Sequence, residues 1–329
     1  MKKEETLMLK GIAILLMLFL HLFNNIEEAR ACHNLLLIGD VPFAHILTRA
    51  ANPVAFYIIL SGYGLYVVQH VREYDVIGKL KKLYVHYWVS LFLLIPVGTL
   101  MFGTDKYPHS LADILSNMTG YHTTWNATIW FLLPYVLLAL ASKRIWMILD
   151  AVKPWLYLSF VFCISVICSC LISRYGTSFL YANCWAYIPV LFFQMLFPLS
   201  LGAYLAKYRR IVKWKAVRGG GNFILLAILV VLRCCMQSGV LHTFYVLFFI
   251  LLFLNTPLPR CLQRLLINFG RHSTSMWFVH AYFYSMYFHD FIYAFRFPLL
   301  IYVALLCTSY VAAVFVDAVN LQVQKLVFK

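Results

Sequence analysis

Charged residues are scarce in this chain. Only 12% of its 329 residues are charged, while 63% are hydrophobic, and the mean hydropathy is +0.80. Soluble globular proteins carry about 25% charged and about 45–50% apolar residues. The deficit of charge excludes a soluble globular enzyme, and the apolar excess excludes intrinsic disorder. Since no stretch is polar and long enough to form a soluble domain, we expect a single membrane-embedded domain over residues 1–329.

Acidic residues are the rarer of the two charged classes. There are 12 Asp and Glu against 27 Lys and Arg, a formal net charge of +15. In a soluble protein this excess would indicate nucleic acid, but in a polytopic membrane protein it is typical of basic cytoplasmic loops. We therefore expect membrane lipid, and no nucleic acid, as a partner. All twelve carboxylates fall near the ends of apolar runs or in loops, which counts against a proton-coupled carrier.

Metal-binding and redox motifs are also missing. The nine cysteines form no C-x-x-C pair and no Cys/His spacing of the zinc type, so we expect no metal site. Most of them lie in apolar runs, which favours a role as buried small hydrophobic residues. We find no internal repeat, a further point against the common transporter folds.

Long apolar runs are what the chain does contain. A helix needs about 20 residues to cross a bilayer, and ten runs of roughly this kind predict an all-α, polytopic helix bundle of about ten transmembrane helices. Arg233, Gly239 and His242 interrupt the stretch 222–255, which we interpret as two short spans. The predicted spans are 7–25, 54–71, 83–102, 127–142, 155–173, 184–206, 222–237, 240–255, 273–294 and 298–320.

The distribution of Lys and Arg orients this bundle. With a cytoplasmic N-terminus, the inner segments carry 21 basic residues and the outer segments carry 6. Because basic loops stay on the cytoplasmic side, the split predicts that both termini are cytoplasmic, in a multi-pass protein of the cell (cytoplasmic) membrane. Gly219, Gly220 and Gly221 follow the most basic inner segment and indicate a flexible connector.

Two ionisable residues of the first span share one helix face. Lys10 and His21 are eleven residues apart, which is three turns plus about 20° and a rise of about 16 Å. This places Lys10 near the cytoplasmic surface and His21 near mid-membrane, where a neutral imidazole is a good general base for a hydroxyl. The alternative is that Lys10 snorkels to the surface while His21 makes one interhelical hydrogen bond. His280, in the ninth predicted span, is the second deep histidine.

A basic cluster precedes the third span. Lys79 and Lys82 are three residues apart on a predicted helix and so point to the same side, where they could bind phosphate groups as point charges. The alternative is that they only anchor the helix on the inner side. The first interpretation of Trp125 and Trp130 is an interfacial belt, and that of Gly62 and Gly64 is close helix packing.

Five short segments follow one another over nearly the whole chain: residues 9–21, 60–63, 79–84, 129–132 and 269–280. Their motifs are a basic residue followed by His eleven positions later, S-G-Y, K-x-K-K, W-F-L and G-x-x-S…H. Together they resemble the acyltransferase-3 family of polytopic membrane acyltransferases. The positions that match are Lys10, His21, Ser61, Lys79, Lys82, Trp130, Ser273 and His280.

The resemblance implies a function and a set of roles. Members of this family move an acyl group, usually acetyl, from cytoplasmic acyl-CoA to a hydroxyl of a cell-surface glycan or its lipid-linked precursor. By this resemblance His21 is the catalytic base, Lys10 supports it, and Lys79 with Lys82 contacts the CoA phosphates. Acetyl-CoA or another acyl-CoA is then the donor, a glycan or glycolipid is the acceptor, and no metal is needed.

The chain departs from the family at several positions. Lysines stand where arginines are more usual, which loses bidentate phosphate contacts, and Tyr135 occupies a position where some members carry Glu. The main alternative function is a transporter or flippase of a polysaccharide or lipid precursor, without covalent chemistry. A non-catalytic scaffold in an envelope assembly is a third possibility, and it would leave the alignment of Lys10 with His21 unexplained.

Overall fold

The structure is a computed structural model of the 329-residue chain. It describes residues 1–71, 73–103, 107, 110–208, 220–236 and 239–328. Several residues used in the sequence analysis lie outside these ranges. One is Gly219 of the predicted connector. The others belong to the count of 21 inner and 6 outer basic residues, and they are Arg72, Lys106, Arg209, Arg210, Lys213, Lys215, Arg218 and Lys329.

The described chain is almost entirely helical, as the sequence predicts. Its one sheet is a two-residue antiparallel hairpin, β1 (Leu37–Ile38) and β2 (Val41–Pro42). Short 3-10 and π-helical turns cover Ala127–Ile129, Gly176–Leu180 and Tyr282–Met286. The α-helices are α1 (Lys3–Phe23), α2 (Ile26–Ala31), α3 (Phe43–Thr48), α4 (Pro53–Val71), α5 (Val76–Phe102), α6 (Leu111–Thr119), α7 (Leu132–Ala151), α8 (Pro154–Tyr175), α9 (Cys184–Lys207), α10 (Gly221–Cys235), α11 (His242–Leu254), α12 (Arg260–Ala281), α13 (His289–Tyr293) and α14 (Pro298–Val327).

Seven helical segments of the described chain are long and apolar enough to cross a membrane. Two more, α10 and α11, are apolar but have only 15 and 13 residues, fewer than the ~20 that a perpendicular span needs. They coincide with the two short spans predicted between 222 and 255. The fold is therefore a polytopic helix bundle, and its count of ten crossing helices stays a prediction. The seven segments are Lys3–Phe23, Phe43–Val71, Val76–Phe102, Ala127–Ala151, Pro154–Leu180, Cys184–Lys207 and Pro298–Val327.

The predicted span 273–294 is wrong in its boundaries. The helix there, α12, begins at Arg260 and ends at Ala281, and a π-helical turn follows it. Its first half carries Arg260 and Arg264 and so gives no apolar run. This half is nevertheless helical because α12 packs along α1 over most of its length. Tertiary packing, rather than hydropathy, determines this element.

The first part of α1 and the last part of α14 lie at the same end of the bundle. Gln324 Nε2 of α14 donates to the carbonyl of Lys82, and Lys82 Nζ lies 5.5 Å from the ring centroid of Phe328. Lys10 of α1 and Lys79 of α5 line one cavity at this end. We call it the terminal end, and the opposite end the distal end.

Reciprocal glycines hold two helix pairs in close contact. A Cβ on Gly11 of α1 would collide with the carbonyl oxygen of Leu266 in α12, and one on Gly270 would collide with that of Leu7. In the same way, Gly62 of α4 faces Leu199 of α9, and Gly202 of α9 faces Ile59. Small residues at crossing points let backbones approach in membranes. The packing role predicted for Gly62 is confirmed, whereas Gly64 has open space around it.

Two other expectations from the sequence are wrong. The nine cysteines are free, but only Cys32, Cys168 and Cys234 are buried, because most of the others sit on outward faces of apolar helices. Trp125 is not an interfacial anchor. It is 6% exposed and donates its indole N–H to Asp113 Oδ2 over 3.1 Å.

Candidate active site

Helix α1 carries the two ionisable residues singled out in the sequence. It runs without interruption from Lys3 to Phe23, so Lys10 and His21 keep the predicted spacing of about 16 Å along one face. Both side chains are half-buried, but they reach different cavities. Lys10 lines a cavity at the terminal end, and His21 lines a cavity that extends to the distal end.

The distal cavity has a volume of about 470 Å³. His21 lies in its wall together with Trp130, which the W-F-L motif had singled out. The cavity reaches Asn24, just beyond the end of α1, and Gly239, in the connection before α11. Its other polar lining residues are Thr48, Arg49, Asn52, Thr128, Ser165, Ser169, Gln194, Arg233, His242 and Thr243.

The terminal cavity is smaller, about 230 Å³. It brings together four matched motif positions, Lys10, Ser61, Lys79 and Ser273, which are up to 263 residues apart in the chain. Tyr135, at the position where some relatives carry Glu, also lines it. Among the described residues, neither Lys10 nor Lys79 has a hydrogen-bond or ion-pair partner for its ammonium group. The cavity therefore offers two uncompensated positive charges.

Two side chains, Ile58 and Phe131, line both cavities and form the partition between them. Phe131 is held in place by Trp277, whose ring stacks on it with centroids 4.2 Å apart and planes 18° apart. The indole N–H of Trp277 in turn donates to the carbonyl of Thr128 over 2.9 Å. The residue after Trp130 in the W-F-L motif is thus part of the wall between the cavities.

An aromatic cluster surrounds His21 at the distal cavity. Its ring centroid lies 5.1 Å from that of His280 and 5.6 Å from that of Tyr284, and the Tyr284 hydroxyl is 3.4 Å from His21 Nδ1. His280 is completely buried. Its Nδ1 contacts the carbonyls of Met276 and Trp277 at 3.1 and 2.9 Å, so this nitrogen carries the proton. His280 Nε2 is then an acceptor, and it has no partner among the described residues.

A family model matches nearly the whole chain. The acyltransferase-3 model, described as an acyltransferase domain, matches residues 8–318, nearly the whole chain. The chain belongs to the acyltransferase-3 family. No curated protein matches the sequence, and no solved structure does. Membership makes the protein a membrane acyltransferase, a transferase that acts on acyl groups with an acyl donor and an acceptor.

Lys82, the second lysine of the family's basic stretch, lies apart from the terminal cavity. Lys79 lines that cavity, whereas Lys82 does not line it and packs over Phe328. One turn of α5 separates the two residues, and the C-terminal end of α14 covers the second. The described structure therefore brings Lys79, but not Lys82, together with Lys10, Ser61 and Ser273.

Two arginines of this acyltransferase's distal cavity are not among the residues predicted for the site. The basic-residue count places both Arg49 and Arg233 among the outer residues, and Arg233 also interrupts the stretch 222–255. Both line the cavity that contains His21. The available signal was Arg233 inside an apolar run, since an ionisable residue in such a run is costly. Arg49 had no comparable signal, because a basic residue next to a span end is commonplace.

A polar network around Asp317 was also missed. Asp317 lies near the end of the predicted span 298–320, whereas α14 continues to Val327, ten residues beyond this carboxylate. Its Oδ1 accepts from Ser275 Oγ at 2.5 Å and its Oδ2 from His272 Nδ1 at 2.5 Å. His86 Nε2 is 2.6 Å from Ser275 Oγ. Because α14 has 30 residues and a span needs only ~20, a position ten residues before the helix end is compatible with a span end. The expectation that no carboxylate lies at mid-depth in a span therefore stays a prediction.

Proposed function

We propose that this acyltransferase moves an acyl group, most simply acetyl, from cytoplasmic acyl-CoA to a hydroxyl of a cell-surface or lipid-linked glycan such as an exopolysaccharide. The terminal end is the cytoplasmic end in this proposal, and the membrane is the cell (cytoplasmic) membrane. The observation that carries the proposal is the pair of cavities on either side of Ile58 and Phe131. One contains Lys10 and Lys79, and the other contains His21.

The donor binds from the terminal end. Acyl-CoA is large and multiply charged, so it does not cross the hydrocarbon core intact. The unpartnered ammonium groups of Lys10 and Lys79 suit its phosphates as point charges. The extended pantetheine arm is comparable in length with the rise of about 16 Å between Lys10 and His21. Once the side chains of Ile58 and Phe131 move aside, the thioester can reach His21.

The acceptor enters from the distal end, and His21 acts on it as general base. The unprotonated ring nitrogen of His21 takes the proton of the acceptor hydroxyl while the hydroxyl oxygen attacks the thioester carbonyl carbon. The tetrahedral intermediate collapses with cleavage of the C–S bond. The CoA thiolate leaves and takes up the proton held by His21. The products are an O-acyl ester and CoA, so the atoms and charges balance without a metal.

His280 positions the base in this proposal. The buried Nε2 of His280 can accept a hydrogen bond from the N–H of His21, which fixes the ring while leaving the other nitrogen to the acceptor. Because His280 is itself held by two backbone carbonyls, the arrangement is rigid, and rigid positioning is what general base catalysis requires.

Replacement of His21 tests the proposal directly. We expect His21→Ala to lower acyl transfer by the purified protein about 10²–10⁴-fold, the range for loss of a general base, while size-exclusion and thermal unfolding profiles stay those of the wild type. His33→Ala is the matched control, because His33 is exposed and does not line either cavity. Wild-type turnover in a well-folded His21 variant would end the assignment.

Acylation in cells separates an enzyme from a carrier or a scaffold. Mass spectrometry of surface glycans should show O-acyl groups with the wild-type gene and none with the His21→Ala gene. A carrier without covalent chemistry would change the amount of glycan but not its acylation. Wild-type protein that neither transfers nor hydrolyses acyl groups from acyl-CoA would contradict the proposal.

A further inference from the structure

Two arginines converge at the distal cavity from different parts of the chain. Arg49 follows α3, and Arg233 lies in the last turn of α10. Arg49 Nη1 donates to the carbonyl of Cys234 over 3.1 Å, and Arg233 Nη1 donates to that of Met236. Both guanidinium groups thus sit at the C-terminal end of the same helix and line the same cavity.

Their charges are not compensated within the described residues. No described carboxylate lies within 4 Å of either guanidinium, although Arg233 is only 5% exposed. Burial of an unpaired charge is costly. Arg233 Nε is buried without a hydrogen-bond partner, and so is His242 Nε2, in the wall of the same cavity. These unused polar atoms point to a ligand that the cavity is built to bind.

We infer that the acceptor carries an anionic group, a carboxylate or a phosphate, which Arg49 and Arg233 hold in the distal cavity while its hydroxyl is presented to His21. The inference deepens the proposed function and rests on it for the identity of the ligand as acceptor. Guanidinium groups bind such oxyanions through charge-assisted and often bidentate hydrogen bonds. His242 adds a further polar contact to the same anion or to a neighbouring hydroxyl.

The rest of the lining suits a sugar next to this anion. Asn24, Asn52 and Gln194 offer amide groups for hydroxyls. Trp130 adds an aromatic ring to the lining of the same cavity. The anion can have two sources, the carboxylate of an acidic sugar in the glycan or the phosphate that links a neutral sugar to a lipid carrier. Both use the same chemistry at the arginines.

A purely structural role for the arginines gives a different expectation. Basic side chains near a helix C-terminus bind its last carbonyls and stabilise the helix. Each of the two arginines donates one N–H group to such a carbonyl. That role uses two of ten guanidinium N–H groups, and it requires neither a cavity nor a ligand. It predicts a loss of stability on substitution, with no change in preference between charged and neutral ligands.

Binding of three probes to the purified full-length protein in zwitterionic nanodiscs tests the inference. The probes are a fluorescent oligosaccharide that contains glucuronic acid, its carboxyl-reduced neutral counterpart, and the neutral oligosaccharide joined to a polyprenyl diphosphate. We expect at least one anionic probe to bind roughly 10–100-fold more tightly than the neutral one, the range for hydrogen bonds to a charged group. The probe that gains affinity identifies the source of the anion.

Substitutions of the two arginines test whether these side chains cause the preference for the anionic probe. Arg49→Gln and Arg233→Gln should each lower the preference for the anionic probe about tenfold or more, and Arg49→Lys should retain part of it because the charge remains. Arg174→Gln is the matched control, since Arg174 is exposed at the end of α8 and does not line the cavity. Arg49 is only half-buried, so its variants remain informative even where the Arg233 variant fails to fold.

The outcomes separate this inference from the proposed function, because binding needs no turnover. Equal affinity of the wild type for all three probes overturns the inference, as does a preference that survives both Gln substitutions, even where acyl transfer is observed. A preference that disappears in both variants supports it. If the same samples then fail to transfer acyl groups from acyl-CoA, the proposed function falls and the anion site stands.

Discussion

The imidazole of His280 has two chemically different nitrogens. Nδ1–H donates to the carbonyls of Met276 and Trp277, while Nε2 is buried and has no partner among the described residues. The rings of His21 and Tyr284 lie within 6 Å of it. A lone pair fixed in this way can orient the N–H of His21, so we treat His280 as a positioning residue.

Two amide substitutions of His280 should differ in their effect on turnover. Gln places a polar atom near the position of Nε2, whereas Asn reproduces only the Nδ1 side. We expect His280→Asn to lower kcat roughly 10–100-fold, the cost of a hydrogen bond to a charged partner, with KM for the acceptor unchanged. His280→Gln should recover part of kcat. Equal losses in both variants, or a change confined to KM, would contradict a positioning role through Nε2.

The two matched lysines of α5 should differ in donor binding. Lys79→Ala should raise the KM for acyl-CoA about tenfold, since one phosphate contact with a charged group is lost, and should flatten its salt dependence. Lys82→Ala should change this KM much less, because Lys82 lies outside the terminal cavity. Steady-state kinetics with varied acyl-CoA at fixed acceptor measures both. Equal effects would show that the two lysines act as one site.

At the scale of helices, the glycine contacts give the bundle a rigid frame. Helices α1 and α12 meet at Gly11 and Gly270, and α4 and α9 meet at Gly62 and Gly202. The first pair carries His21 and His280, so their ring-to-ring distance depends on this crossing. A side chain at any of these glycines would collide with a backbone carbonyl. Because the backbone of a packed helix cannot turn aside as a flexible side chain can, the two helices would have to move apart.

Gly62 and Gly64 form a natural pair for testing this packing. Gly62→Ala would place a Cβ against the Leu199 carbonyl, whereas Gly64→Ala would meet open space. We expect the first to lower the thermal unfolding temperature and the yield in detergent. The second should leave both unchanged or raise them, since Ala is a better helix former than Gly by about 1 kcal/mol. A neutral Gly62→Ala would mean that α4 and α9 separate readily.

The sequence predicts the geometry of the site best where all the residues concerned lie in one helix. Lys10 and His21 lie on α1, and a fixed rise per residue determines their separation. The half of α12 before Ser273 has too many polar residues for a hydropathy argument, and its helix forms against α1. The convergence of Arg49 with Arg233 joins residues 184 positions apart, and no local pattern encodes such a contact. The family resemblance, by contrast, is confirmed over nearly the whole chain.

At the scale of the whole molecule, the two ends of the bundle should face different compartments. Reporter fusions at Gly221, which begins α10, should report the cytoplasm, and those at Tyr107, between α5 and α6, the outside. The reason is the excess of basic residues in the segments predicted to be cytoplasmic. Opposite results at both sites would reverse the orientation, and with it the sides from which donor and acceptor enter.

The wall formed by Ile58 and Phe131 has a consequence for the energy supply of the cell. If the two cavities joined into one water-filled path across the bilayer, protons could cross through the protein. Each elementary charge that crosses dissipates about 2.3 kcal/mol per 100 mV of membrane potential. Phe131→Ala should therefore let proteoliposomes lose an imposed proton gradient faster, as followed by an entrapped pH-sensitive dye. Phe160→Ala, at a site 65% exposed on the outside of the bundle, should not. If both hold the gradient equally well, other residues insulate the membrane.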